Sequence, residues 1–355
     1  MNNPLISYLF DNSAIETIIA RGFGAFFTSL IICSILLRFI IKYHTQRMNF
    51  QPIRECNIEH QSKKQIPTMG GVAIIIATLA ATLLWAKSNI YIFITLMVML
   101  VYGALGGVDD YLKIKHKNVA GVRGKLKILI QALTSIVSCY LLLNYTNYTH
   151  FTWLNFPMLK ELSINLGLFY YIFATIVIIG ASNAVNLTDG LDGLSIFPIA
   201  VSISCFAFIA YLTGCEADAL KYNLVYIDGA NEIVILSAAI LGAALSFLWL
   251  NCTPAQIFMG DVGSLSLGGV IGMIAVILKK EILLAIIGGV FVIEALSVII
   301  QVYYFKFTGG KRFFKMAPIH HHFEKLGWSE SKIVIRFWIL AVIFAVLGLM
   351  IFIGE

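Results

Sequence analysis

Long apolar runs alternate with short polar segments along most of the chain. A hydrocarbon layer about 30 Å thick is crossed by roughly 20 apolar residues in a helix, and windows of that kind recur ten times. The predicted spans are residues 22–42, 70–86, 90–108, 127–145, 164–184, 194–213, 233–250, 264–278, 282–305 and 333–353. Lipid offers no hydrogen-bond partner to an open backbone, and the runs are too long for barrel strands. The pattern therefore predicts an all-α, polytopic integral membrane protein with ten transmembrane helices.

Composition agrees with this class, since 59% of the residues are hydrophobic and only 12% are charged. Average soluble domains are about half apolar and a quarter charged. No heptad pattern, repeat of fixed period or low-complexity tract divides the sequence. We therefore expect one transmembrane domain over residues 1–355, and nothing in the composition suggests a nucleic-acid partner.

The distribution of lysine and arginine predicts the orientation of the spans. If the N terminus lies outside, 19 of the 25 basic residues fall in or beside inside connections, as the positive-inside rule requires. Both termini are then periplasmic. The cytoplasmic loops are about 43–69, 109–126, 185–193, 251–263 and 306–332. Their basic character suits anionic substrates and lipid headgroups, although topology alone accounts for most of these residues.

Five of the eight aspartates fall at predicted inner ends of spans, where several loops can meet: Asp109, Asp110, Asp189, Asp192 and Asp261. The adjacent carboxylates of Asp109 and Asp110 repel unless a cation compensates. Mg²⁺ prefers oxygen ligands and often binds one or two carboxylates together with substrate phosphates. A solvated acidic pair at a helix end explains that segment alone equally well.

Two further segments combine acids with glycine. Asp189 and Asp192 stand in Asn-Leu-Thr-Asp-Gly-Leu-Asp-Gly, where the glycines allow the backbone to approach a ligand closely. Asp261 stands in Phe-Met-Gly-Asp-Val-Gly-Ser. The ring of Phe258 suits a nucleobase platform beside a metal ligand. A polar turn and an interfacial aromatic anchor are the alternative interpretations.

The remaining candidates are basic or polar. Three consecutive histidines, 320–322, can contact phosphates or move protons; a solvated basic loop is the alternative, and zinc is disfavoured without a nearby cysteine. Lys63 and Thr68 precede the second span, and lysines near helix starts can hold phosphates, although each lysine alone also reads as a positive-inside anchor. Gln301 lies within a span, where a polar side chain usually faces the bundle interior.

As a set, these motifs resemble the polyprenyl-phosphate N-acetylhexosamine-1-phosphate transferases. The resemblance covers nearly the whole chain and includes Asp-Asp-Tyr-Leu-Lys (109–113), Asn-Leu-Thr-Asp-Gly-Leu-Asp-Gly (186–193) and Phe-Met-Gly-Asp-Val-Gly-Ser (258–264). Pro-Ile-His-His-His-Phe-Glu (318–324) favours the branch that uses a muramoyl-pentapeptide donor over the N-acetylglucosamine branch.

The resemblance implies transfer of phospho-N-acetylmuramoyl-pentapeptide from its UDP carrier to undecaprenyl phosphate, giving lipid I and UMP. It places the enzyme in the bacterial inner membrane, with the active site facing the cytoplasm. It implies Mg²⁺ bound by Asp261 with Asp109 and Asp110, these three aspartates and His320 as catalytic residues, and substrate contacts from Lys63, Thr68, Lys125, Asn186, Asp189, Asp192, Asn251, Phe258, Gln301, His321 and His322. Direct attack by the lipid phosphate and a route through an aspartyl phosphate both remain open.

Two other functions compete with this interpretation. One is a transferase that uses UDP-N-acetylglucosamine. The other is a secondary transporter, although transporters place their binding groups near the bilayer midplane, whereas the acids here cluster at the inner ends. Because membrane proteins of this size often dimerise, a homodimer is one expected state, which the sequence alone does not decide.

Overall fold

The computed structural model describes residues 18–47, 66–116, 121–146, 151–157 and 163–354. The helices are α1 (Ile18–Arg47), α2 (Gly71–Trp85), α3 (Ile90–His116), α4 (Gly124–Tyr145), α5 (Phe169–Thr188), α6 (Ile196–Gly214), α7 (Glu216–Lys221), α8 (Glu232–Asn251), α9 (Gly260–Ile277), α10 (Glu281–Ile287), α11 (Gly289–Phe307), α12 (Ile319–Glu324) and α13 (Glu330–Gly354). Between α4 and α5, β1 (Trp153–Asn155) pairs with β2 (Ser163–Asn165) in an antiparallel hairpin, with Leu154 opposite Ile164.

Within the described ranges, nine helices are long and apolar enough to cross a membrane. They are α1, α3, α4, α5, α6, α8, α9, α11 and α13. The remaining predicted span, 70–86, corresponds to α2, which has 15 residues and is shorter than the usual crossing length. The prediction of an all-α polytopic membrane protein is confirmed, and the periplasmic position of both termini stays a prediction.

The lipid-facing surface is clearest on α1. Large apolar side chains recur every four residues and are more than half exposed, from Ile19 to Phe39. Residues four apart lie on one helix face, so these side chains form one continuous apolar ridge. Water would make such a ridge costly, and a bilayer is its natural environment.

Helix α9 is the centre of the bundle. Every residue from Val262 to Ile277 is buried, and the helix packs against α2, α3, α5 and α6. Its sequence is rich in glycine and serine, which allow neighbouring backbones to approach closely in membrane bundles. This central helix carries Asp261 in its first turn.

Several element boundaries differ from those predicted. Helix α3 continues to His116, so the predicted loop 109–126 begins with about two helical turns that include Asp109 and Asp110. The predicted span 282–305 is divided at Gly288 into α10 and α11. Hydropathy cannot detect this break because both halves are apolar. Next to the break, Gly289 allows α13 to pack closely, since a Cβ there would lie 2.7 Å from the Phe344 ring.

A buried ion pair ties three helices together at the end of the bundle opposite Asp261. The Arg21 guanidinium donates to both carboxylate oxygens of Glu232, at 2.7 and 2.8 Å, and the backbone N–H of Lys87 donates to the same carboxylate. Two parallel hydrogen bonds give such a pair a fixed geometry. The contact fixes the starts of α1 and α8 against the segment after α2.

Adjacent glycines in α3 provide a test of the packing around α9. A Cβ at Gly106 would overlap the Asp261 carbonyl, whereas a Cβ at Gly107 would lie 3.7 Å from Val262. We expect Gly106→Ala to lower stability by about 1–3 kcal/mol through overpacking. Gly107→Ala is the matched control and should be neutral or stabilise by up to about 1 kcal/mol. Thermal unfolding in detergent measures both variants, and equal melting temperatures would contradict the close approach of α3 to α9.

Candidate active site

Three carboxylates from two helices meet at one end of the bundle. Asp109 and Asp110 lie in the last turns of α3, and Asp261 lies in the first turn of α9. One oxygen of each lies within 4.8 Å of the others. The backbone N–H of Val262 donates to Asp110 at 3.2 Å. Helix N termini favour negative charge, so the start of α9 stabilises the cluster.

Two lysines neutralise most of this charge. The Lys113 ammonium lies 2.7 Å from Asp109 and 3.0 Å from Asp261. Lys127, in the first turn of α4, lies 2.8 and 3.0 Å from the same two carboxylates. Three carboxylates and two ammonium groups leave one negative charge in excess. The cluster therefore attracts a further cation.

The donor set fits a hard divalent cation such as Mg²⁺. All three groups are carboxylates, which are the ligands that this ion prefers. Asp110 Oδ1 is buried and accepts no hydrogen bond within the described part of the chain, and its nearest cation is the Lys113 ammonium at 4.0 Å. At Gly260 a Cβ would overlap the Asp110 carboxylate. Glycine at this position thus keeps space open beside the carboxylates.

Two further predicted residues lie at the cluster. The Asn186 amide donates to Asp261 at 3.0 Å and to Ser264 at 2.8 Å. Thr68 is buried, and its hydroxyl has no hydrogen-bond partner among the described residues. A Cβ at Gly260 would lie 3.0 Å from the Thr68 oxygen, which places Thr68 at the start of α9.

Asp189 lies at the end of α5, beside the cluster rather than in it. The Ser195 hydroxyl donates to its carboxylate. Loss of hydration raises the pKa of Asp189 to about 7, and repulsion from Asp261 adds to this, while the hydrogen bond from Ser195 opposes it. Asp189 therefore changes protonation near neutral pH.

Asp192 and Asn251 act as braces between two motif segments. Asp192 accepts a hydrogen bond from the backbone N–H of Ala255 at 3.0 Å. The Asn251 carbonyl accepts from the N–H of Gly193, and its amide donates to the carbonyl of Ile257. Both side chains are almost fully buried. In the structure, these hydrogen bonds hold loop 251–263 against the segment that follows α5. The predicted contacts of both side chains with substrate stay predictions.

Phe258 lies where loop 251–263 meets the segment that precedes α2. Its backbone N–H donates to the Pro67 carbonyl, and its carbonyl accepts from the N–H of Gly70. The residue is partly exposed. Its backbone is therefore fixed while part of the side chain stays accessible, as the predicted nucleobase platform requires.

The three histidines have three different partners. His320 Nδ1 lies 3.1 Å from Glu294, and His321 Nδ1 lies 2.5 Å from Glu324. His322 Nδ1 accepts a hydrogen bond from the backbone N–H of Lys315 at 3.1 Å. The imidazoles thus do not converge on one ion. Only His320 is fully buried.

Some predicted residues are not brought to the carboxylates. Lys125 is exposed, and it is Lys127, two residues later, that contacts Asp109 and Asp261. The Gln301 side-chain carbonyl accepts from the backbone N–H of Phe314 and lies on the wall of a separate basic pocket. Lys63 lies outside the described residues.

The sequence suggested Lys127, with Lys125, as a lysine that could hold phosphate at the start of the fourth span, but it predicted neither the contacts of Lys113 and Lys127 with the aspartates nor the pairing of Glu294 with His320. Lys113 follows Asp109 by four residues, a spacing that places both on one helix face. That signal was hidden because the predicted third span ended at residue 108. Lys127 and Glu294 meet their partners across 18 and 26 residues of chain, so no local pattern identifies them.

Comparison with known proteins identifies the family of the chain. The sequence profile of glycosyl transferase family 4 matches residues 90–279, which include all three cluster carboxylates. The chain belongs to glycosyl transferase family 4. Two similar proteins are named phospho-N-acetylmuramoyl-pentapeptide-transferase. The one from Rickettsia felis is 53% identical to this chain, over 90% of this chain and 88% of the relative. The one from Rickettsia canadensis is also 53% identical, over 89% of this chain and 87% of the relative. The Rickettsia akari member is 52% identical over 90% and 88%.

The raised pKa of Asp189 predicts how stability of this family 4 protein depends on pH. The folded protein holds the Asp189 proton more tightly than the unfolded chain does, since the ordinary pKa of an aspartate is 3.8. The resulting stabilisation is present below about pH 4 and is lost as pH rises to about 7. We expect Asp189→Asn to remove this loss.

Melting temperatures in detergent between pH 5 and pH 8 measure the effect. The wild-type protein should lose more stability over this range than Asp189→Asn does. Asp228→Asn changes an exposed aspartate and should follow the wild-type slope. Parallel curves for wild type and Asp189→Asn would contradict a perturbed carboxyl at this position.

Proposed function

We propose that this protein transfers phospho-N-acetylmuramoyl-pentapeptide from UDP to undecaprenyl phosphate, giving lipid I and UMP, in the bacterial inner membrane with the site facing the cytoplasm. The relatives' shared name, phospho-N-acetylmuramoyl-pentapeptide-transferase, supports the transferred group, and the resemblance of the sequence motifs supports the donor and the acceptor. The observation that carries the proposal is the meeting of Asp109, Asp110 and Asp261 with Lys113 and Lys127 at the ends of membrane helices. A charged cluster at that depth suits a reaction between a soluble diphosphate and a membrane-anchored phosphate.

The reaction exchanges one phosphoanhydride bond for another. An oxygen of the lipid phosphate attacks the sugar-side phosphorus of the donor, and the bond from that phosphorus to the bridging oxygen breaks to release UMP. Because the bonds broken and formed are alike, catalysis depends mainly on positioning and charge neutralisation. The Lys113 and Lys127 ammonium groups, within 3.0 Å of the carboxylates, are placed to contact anionic diphosphate oxygens.

A carboxylate of the Asp109–Asp110 pair accepts the proton of the lipid phosphate. The second pKa of a phosphate monoester is about 6, so little base strength is needed. Mg²⁺ held by Asp109, Asp110 and Asp261 would supply further stabilisation of negative charge on the departing phosphate. Asn186 fixes the orientation of Asp261 through its hydrogen bond.

An apolar groove of about 270 Å³ supports the lipid acceptor. It runs along α5 from Ile176 to Val185, with walls from α9, α10 and α11. Val185 directly precedes Asn186, which bonds to Asp261. One end of the groove therefore lies one residue along α5 from a contact of the carboxylate cluster, which supports a polyprenyl chain as its occupant.

A basic pocket of about 790 Å³ supports a large anionic donor. Among the residues that the structure describes, its lining includes no acidic side chain, and its charged members are Lys306, Arg312, Lys315 and Lys325. Ala317 lines the pocket three residues before His320. A peptide that ends in a carboxylate, as any linear pentapeptide does, is complementary to this lining.

The proposed reaction predicts release of UMP only when donor, polyprenyl phosphate and Mg²⁺ are all present. Purified protein in detergent is incubated with UDP-N-acetylmuramoyl-pentapeptide, and UMP is quantified by chromatography. UDP-N-acetylglucosamine serves as the competing donor. If UMP were released from UDP-N-acetylglucosamine and not from UDP-N-acetylmuramoyl-pentapeptide, the protein would belong to the N-acetylglucosamine branch instead. Absence of lipid-dependent release from both donors would contradict a transferase.

Replacement of Asp261 by asparagine tests the metal assignment. Asparagine keeps the shape of the side chain and removes the charge that would hold the ion. We expect turnover to fall about 100-fold or more, while affinity for the UDP donor, measured by calorimetry in EDTA, changes less than threefold. An equal loss of both quantities would mean that Asp261 contacts the nucleotide and not the ion.

A further inference from the structure

Two fully buried ionisable side chains meet beside the candidate site. Glu294 lies on α11 and His320 on α12, both with no exposed surface. His320 Nδ1 lies 3.1 Å from a Glu294 carboxylate oxygen. Burial of a carboxylate within a membrane span is costly, and such residues are usually functional.

The carboxylate determines which nitrogen of the imidazole carries the proton. An ionised carboxylate only accepts hydrogen bonds, so Nδ1 must be the donor. In the neutral ring, Nε2 then carries a lone pair and acts as an acceptor. Glu294 thus fixes both the orientation of the ring and the chemical character of its outer nitrogen.

The outer nitrogen faces the site. His320 Nε2 lies against Gly190, where a Cβ would overlap it. Gly190 directly follows Asp189, whose pKa is perturbed by both Asp261 and His320. Glycine at position 190 therefore provides the space that Nε2 occupies beside the segment that carries Asp189.

The pair is not internally satisfied, which distinguishes it from a purely structural brace. Within the described part of the chain, neither His320 Nε2 nor the second Glu294 oxygen has a hydrogen-bond partner. Buried polar atoms are rarely left in this state, and exceptions call for an explanation. The Arg21–Glu232 pair, by contrast, uses both carboxylate oxygens.

We propose that Glu294 is a positioning residue that holds His320 with Nδ1 protonated, so that Nε2 accepts a hydrogen bond from a hydroxyl group of the substrates. The hydrogen bond to substrate rests on the proposed transferase reaction. The protonation of Nδ1 by contrast rests only on the contact with Glu294. The titratable groups that face His320 are Glu294 from α11, His321 from its own helix and Asp189 from the end of α5.

The first test determines which ring nitrogen of His320 carries the proton. Nitrogen-15 NMR of histidine-labelled protein distinguishes the two neutral tautomers, and His320→Gln identifies the His320 signal. We expect Nδ1–H in the wild type and loss of that preference in Glu294→Gln, whose amide can donate to Nδ1. An Nε2–H tautomer in the wild type would overturn the proposal whether or not the protein has transferase activity.

The second test reads the consequence for turnover. We expect Glu294→Gln to lower kcat about 100-fold or more, as loss of the orienting carboxylate does in other carboxylate–histidine pairs, while KM for the UDP donor changes less than threefold. Glu294→Asp keeps the charge and should restore part of kcat. Because Glu294 acts through His320, Glu294→Gln should cost nothing further in a His320→Gln background.

A matched control separates positioning from stability. Glu232→Gln removes another buried carboxylate at the opposite end of the bundle and should lower the melting temperature while the folded fraction keeps its kcat. An unchanged kcat in Glu294→Gln, or additive losses in the double variant, would overturn the proposal. Lack of activity in the wild type with every donor would instead reject the proposed function. The NMR measurement of the His320 tautomer would still test whether Glu294 positions the ring.

Discussion

The site depends on one close backbone contact, between the end of α3 and the start of α9. Three carboxylates within 4.8 Å of one another repel, so the backbones of the two helices must be able to approach closely. Gly106 on α3 removes the Cβ that would overlap the Asp261 carbonyl, and Gly71 on α2 does the same against Gly263. The helices approach because they lack side chains at these positions. The lysines then compensate most of the charge that this approach concentrates.

The two ends of the bundle use buried charge differently. At the end opposite the cluster, Arg21 and Glu232 are matched one to one and use both carboxylate oxygens, and Lys279 and Glu281 form a second pair. At the cluster end the acids exceed the lysines, and a buried Asp110 oxygen accepts no hydrogen bond within the described ranges. Balanced pairs hold helices together, whereas the excess of negative charge at the other end is what a cationic ligand would correct.

The sequence was sufficient to predict the membrane class and to select the aspartates that cluster in the structure, because both depend on local properties: long apolar runs, and aspartates at their ends. It did not predict the ends of the helices. The third run stops being apolar at Val108, yet α3 continues for two further turns because Lys113 and Lys127 compensate the aspartates that face inward. The roles of Asn251 and His320 were equally hidden, since each depends on a partner in another helix or loop.

The burial of α9 has a consequence for how the protein is assembled. A helix whose surface is mostly glycine, serine and small aliphatic side chains gains little from contact with acyl chains. Of the helices that pack against it, α2, α3, α5 and α6 precede it in the chain, and so do Lys113 and Lys127. A protein is synthesised from its N terminus, so these helices and both lysines are made before α9. The order of the chain therefore allows α9 and its acidic first turn to insert against helices that have already been synthesised.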